Sequence, residues 1–129
     1  MDSRRISVLR DVAASFEDWP RPARVTENPS ASTEYKSIEG DFGGRTRESL
    51  SYKECAMLLV DGAMLTAEAY FYFLPRLATA VLREGGDWTL LDLRLAALGT
   101  SLLNPAQKEA VESLRQELSL IDEEMDESL

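Results

Sequence analysis

Ala69-Tyr70-Phe71-Tyr72-Phe73-Leu74-Pro75-Arg76-Leu77-Ala78-Thr79-Ala80-Val81-Leu82 is the stretch that decides the fold. On a helix, four successive aromatics point about 100° apart, so their rings cover every face. A helix that is apolar all round belongs at the centre of its domain. Thr66 suits its N-cap, Ala67 and Glu68 suit its first turn, and Gly85-Gly86 suits its end. Pro75 offers no N–H to the carbonyl of Phe71, which predicts a kink. Arg76 sits on this apolar helix and needs either a partner or a route to water.

Four further helical patterns flank the central one. Ile6, Leu9, Val12, Ala13 and Phe16 recur at helical spacing from about Ser3 to Phe16,. Asp2 or Ser3 caps that helix, and Trp19-Pro20-Arg21-Pro22 stops it. Leu50, Cys55, Leu58 and Leu59 form an imperfect stripe between Thr46 and Val60, ended by Asp61-Gly62,. Trp88, Leu91, Leu95 and Leu98 form another, ended by Gly99. Asn104 as N-cap, Pro105 at the first helical position and Leu103 as staple open the last helix, continued by Val111, Leu114, Leu118 and Ile121,.

The expectation is an all-α fold: a single compact domain over residues 1–121, with about five helices around the kinked central one. Residues 19–45 read as one long irregular connection punctuated by Pro20, Pro22 and Pro29,. Within it, one helical turn at Tyr35 and Ile38 and a short strand at Arg24–Thr26 both remain open. Residues 122–129 read as an acidic, mobile tail, because negative charge at a helix C-terminus opposes the macrodipole.

The chain has 129 residues, 44% of them apolar, one cysteine, no histidine and a net charge of −9. Without histidine, every Ser-His, Cys-His and His-metal arrangement is excluded, including the Glu-x-x-His pairs of di-iron bundles. Cys55 alone makes no internal disulfide and no zinc site, and its place on an apolar stripe reads as core. The glycines of Asp41-Phe42-Gly43-Gly44-Arg45 spell no phosphate loop. Asp87 with Asp92, and Glu109 with Glu112, read as solvated helix faces. No metal, cofactor or catalytic residue is assigned. Tyr70, Phe73 and Arg76 are candidates for a pocket beside Pro75, against the plainer reading of Tyr70–Phe73 as core and Arg76 as half of an ion pair.

Residues 1–64 carry a net charge of −2 and residues 65–129 carry −7, with five acids between Asp122 and Glu127. Acidity on this scale disfavours direct contact with nucleic acid or an anionic membrane surface and favours a basic protein partner. With no run of about 18 apolar residues and no secretory or transit pattern at the N-terminus, a cytoplasmic setting is expected.

Three segments also resemble, in their order, a family of small uncharacterised bacterial proteins. They are Phe16 with Pro20 and Pro22, then Ala69-Tyr70-Phe71-Tyr72-Phe73-Leu74-Pro75-Arg76, then Leu103-Asn104-Pro105-Ala106-Gln107-Lys108-Glu109-Ala110-Val111. Where that family's pattern has an aromatic after the glycine pair, this chain has Arg45-Thr46-Arg47. The resemblance implies a bacterial, cytosolic protein and supplies no catalytic residues.

The functional expectation is a non-catalytic protein-binding module, of the immunity or antitoxin kind, that neutralises a basic partner. Its contact groups would be Trp19, Tyr35, Asp122, Glu123, Glu124, Asp126 and Glu127. One alternative is an accessory subunit that binds through an apolar helix surface near Trp88 and Leu90. The other is a small enzyme using carboxylate, tyrosine and arginine side chains. Composition and pattern say nothing of the oligomeric state.

Overall fold

The computed structural model describes residues 2–127, with side chains through Glu124. It holds six α-helices: α1 (Ser3–Ser15), α2 (Thr33–Phe42), α3 (Tyr52–Val60), α4 (Ala67–Leu82), α5 (Trp88–Leu98) and α6 (Pro105–Glu127). Short 3₁₀ turns at Arg47–Ser49 and Gly62–Met64 lead into α3 and α4. Among the described residues there is no β-strand, only one isolated bridge between Thr26 and Leu65.

The local chemistry explains where most helices begin. Asp2 accepts from the Arg4 N–H at 2.7 Å, and Thr66 Oγ1 accepts from the Ala69 N–H at 3.0 Å,. Ser51 and Glu54 form a reciprocal capping box at the start of α3,. Asn104 and Gln107 do the same at α6: the Gln107 N–H donates to Asn104 Oδ1 at 2.8 Å, and the Asn104 N–H donates to Gln107 Oε1 at 3.0 Å. After α4, Gly85 takes φ = 81°, a left-handed turn that disfavours any side chain,.

α4 forms the centre, as its composition requires. It packs against α1, α3 and α5, while α6 packs against α1 and α5. Tyr70, Phe71, Phe73, Leu74 and Leu77 are sealed in the core, together with Phe16, Leu58, Leu91 and Leu114. Pro75 lies inside α4 without ending it.

Two expectations need correction. The 19–45 segment is not one irregular connection, because it contains α2, which brings the helices from about five to six. α2 buries only Ile38 and Phe42, too few apolar residues to mark a period, and depends on polar anchoring instead. Ser32 caps it, and the Glu39 carboxylate accepts from the Val25 and Thr26 N–H groups at 3.0 and 3.1 Å and from Thr26 Oγ1 at 3.1 Å,. The Thr66 N–H donates to the Val25 carbonyl at 2.9 Å, so the strand weighed at Arg24–Thr26 amounts to a single bridge. At the other end, α6 continues through Glu127, where the acidic run was expected to give way at Asp122. Ser128 and Leu129 lie outside the described residues.

Candidate functional site

The position of α1 creates the site. It lies between α4 and α6, and a groove runs along each of its flanks. The end of α1 is fastened from both sides. A helix C-terminus leaves carbonyl oxygens without intrahelical donors, and here two side chains supply them. Arg47 donates from one guanidinium nitrogen to the Phe16 carbonyl at 2.9 Å and from the other to the Glu17 carbonyl at 3.0 Å. From the opposite flank, Gln107 Nε2 donates to the Ser15 carbonyl at 3.1 Å.

Arg47 reaches further. It donates to the Tyr72 carbonyl on α4 at 3.2 Å, and its guanidinium lies 5.1 Å from the centre of the Tyr72 ring,. Its backbone N–H donates to the Tyr72 hydroxyl at 3.2 Å. Pro75 leaves the Phe71 carbonyl without its helical donor, and Arg47 bonds the carbonyl next to it, that of Tyr72,. The Arg47 side chain is only 11% exposed, and its carboxylate contact is Glu48 at 3.3 Å, itself 73% exposed. The charge is therefore held mostly by carbonyl dipoles and the negative end of α1.

The groove between α1 and α4 has a volume of about 570 Å³. Ala13 and Ala14 of α1 face Pro75 and Thr79 of α4, and these small side chains leave the space open. Its charged lining is Arg10, Arg47 and Arg76 together with Glu17 and Glu48. A hollow of about 550 Å³ continues it toward the start of α1, sharing Arg10 and Thr79 and adding Arg83. Arg76 grips Glu84 through both carboxylate oxygens, at 2.5 and 3.1 Å, and donates to the Leu50 carbonyl at 3.0 Å. That hydrogen bonding holds the Glu84 carboxyl below its usual range and raises the Arg76 pKa further,.

The groove on the other flank of α1, facing α6, has a volume of about 440 Å³. Its charged lining is Asp11 and Glu109, set among Ala106, Ala110, Ser15 and Ser113. Outward from it, Glu109, Glu112, Gln116, Ser119 and Glu123 follow one another three and four residues apart on α6, all exposed,. Glu117 turns inward instead, 6% exposed and 3.6 Å from Arg5.

The structure distributes the sequence-predicted residues unevenly. Tyr70, Phe73 and Arg76 do not form one pocket: both rings are fully buried in the core, and only Arg76 lines a groove. The Tyr70 hydroxyl has no partner among the described residues, and burial raises its pKa, so it stays protonated,. Trp19 is not a free contact group. Its ring packs 5.6 Å from both Phe16 and Phe71, and its indole N–H donates to the Glu68 carbonyl at 2.9 Å,. Tyr35 is half-buried on α2. Asp122, Glu123 and Glu124 are exposed on α6, with Glu124 3.4 Å from Arg5. Asp126 and Glu127 lie on the helix backbone, and their side chains fall outside the described residues. Sequence reasoning missed Arg10, Arg47, Asp11 and Glu109 as groove residues. The only signals were small residues at positions 13 and 14 and the prolines and arginines around them.

No family model, curated protein or solved structure matches the chain. Among the described residues, no helix is long and apolar enough to cross a membrane.

Proposed function

We propose that the chain is a non-catalytic protein-binding module whose acidic α1/α6 face docks a basic protein, in the manner of an immunity or antitoxin protein. One observation carries the reading. Glu109, Glu112 and Glu123 form an exposed stripe beside the Asp11–Glu109 groove, and none of them is in an ion pair among the described residues. Unpaired exposed acids give a long-range attraction that speeds association with a basic surface and fades with salt. The same proposal includes the bacterial, cytoplasmic setting that the family resemblance implies, and a bend of α4 at Pro75 that would widen the groove beside it.

The test is retention of a partner from an extract of the native host by the immobilised protein, followed by a rising salt gradient. Retention that salt releases, and that a Glu109→Lys, Glu112→Lys, Glu123→Lys variant loses, is the expected outcome. Retention unchanged by salt or by that variant would contradict the acidic face.

A second reading rests on a different surface. Val60 and Leu93 are 69% and 62% exposed, and Met57 is 41% exposed. These side chains on α3 and α5 favour an accessory subunit that binds through apolar contacts. Trp88 and Leu90, the residues expected there, are half-buried against the core. Self-association of the pure protein in size-exclusion chromatography favours this second reading, whereas a clean monomer favours the first.

A further inference from the structure

We propose that the groove between α1 and α4 binds a small organic phosphate: a phosphate ester on an apolar body. The site lies on the opposite flank of α1 from the acidic face and does not depend on it.

The groove has the size and character of a small-molecule site. Its 570 Å³ lies within the range of ligand pockets, roughly 300 to 1,000 Å³,. Its walls at Ala13, Ala14 and Pro75 are small and apolar, suited to a flat or compact hydrocarbon body. Three guanidiniums line it, from Arg10, Arg47 and Arg76, in a chain of net charge −9.

Two of these guanidiniums are preorganised. Arg47 is fixed by the carbonyls of Phe16, Glu17 and Tyr72, and Arg76 by Glu84 and the Leu50 carbonyl. A guanidinium carries five N–H donors. Each of these two therefore keeps at least one donor beyond its named partners, and a ligand would not bear the entropy of ordering them. Arg10 is exposed, has no ion pair among the described residues, and can close over an occupant from the α1 side.

The choice of phosphate over carboxylate follows from the count of forks. One carboxylate has two oxygens and one charge, which a single arginine satisfies. A phosphate monoester has three terminal oxygens and a charge of about −1.5 to −2 at neutral pH, enough to engage more than one guanidinium. Glu17 and Glu48 line the same groove and repel either anion, so the guanidiniums must outweigh them,.

The experiment is isothermal titration calorimetry of the full chain with phenyl phosphate at low salt. Inorganic phosphate, benzoate and benzyl alcohol are the comparison probes. Phenyl phosphate is expected to bind at least tenfold tighter than any of the three. Arg10→Ala, which removes a mobile fork, and Ala13→Leu, which fills the groove without touching its charge, are each expected to weaken it about tenfold. Both positions are exposed, and thermal melts confirm that each variant is folded. Glu109→Gln, across α1, should leave binding within about twofold. Equal binding of inorganic phosphate would mean charge attraction alone. Equal binding of benzyl alcohol would mean an apolar hollow alone, and equal binding of benzoate would mean the wrong anion. Any of these, or unchanged binding in both groove variants, overturns the proposal.

Discussion

The two grooves that flank α1 share a helix and share Ala14, yet they carry opposite charge. Arg10 and Asp11 are neighbours in the chain and line different grooves. A turn of about 100° per residue sends adjacent side chains to different faces. Counting charge along the chain cancels this pair, whereas folding separates it. Residues 1–121 sum to −4, an ordinary value that conceals a basic flank and an acidic one. Net charge speaks to solubility and association, and only the placement of α1 between α4 and α6 turns it into two surfaces.

The grooves also differ in how they are fastened. Arg47 closes the basic flank and Gln107 the acidic one, so removing each should cost differently. Arg47→Met leaves the carbonyls of Phe16, Glu17 and Tyr72 without their guanidinium donor, and it should destabilise the fold by about 3 kcal/mol or more,. Chemical denaturation reads this directly. A loss under about 1 kcal/mol would mean that water replaces the donor and that the basic flank is not closed by Arg47. Next in size is the α1/α6 ion pair. Arg5→Leu strands the Glu117 carboxylate, which is 6% exposed, and should cost about 2 kcal/mol,. Glu117→Gln in the same background should recover part of that loss, and failure to recover it would assign the cost to packing.

Acid titration sharpens the contrast between two arginines of the same loop. Arg45 is held by a carboxylate, Glu54, at 2.6 and 3.0 Å, whereas Arg47 is held mainly by carbonyls. The Arg45 hydrogen bond, aided by the Ser51 N–H, lowers the Glu54 pKa from 4.5 to about 2. A depressed folded-state pKa gives stability that is present above the unfolded value and is lost as pH falls through the folded one. Stability should therefore drop between about pH 4.5 and pH 2, and Glu54→Gln should make that drop shallower. The deficit of Arg47→Met should stay nearly constant across the same window, because carbonyls do not titrate. The smallest expected effect belongs to the acidic face. Glu109→Lys with Glu112→Lys should change folding stability by less than about 0.5 kcal/mol, as exposed charges do, while abolishing retention of the proposed basic partner.

Much of the fold was legible in the sequence. The aromatic run of α4, the Thr66 cap and the Asn104-Pro105 start all act locally, within one turn of the residues that encode them. α2 was not legible, because Glu39 anchors it to residues 13 and 14 positions earlier and its apolar face has two members. The grooves were least legible. Arg47 matters through carbonyls 25 to 31 residues away, and no spacing rule reports such contacts. Arg76 stood out correctly as a cation on an apolar helix, but its partner Glu84 lies two turns on.

One helix separates two surfaces of opposite charge, and the most direct test of this is an amide NMR titration with two probes. An oligolysine peptide should shift the signals of Asp11, Glu109, Glu112 and Ser113. Phenyl phosphate, in a separate sample, should shift Ala13, Arg47 and Thr79. Two disjoint sets of shifts on either side of α1 are the predicted result, and one common set for both probes would contradict it.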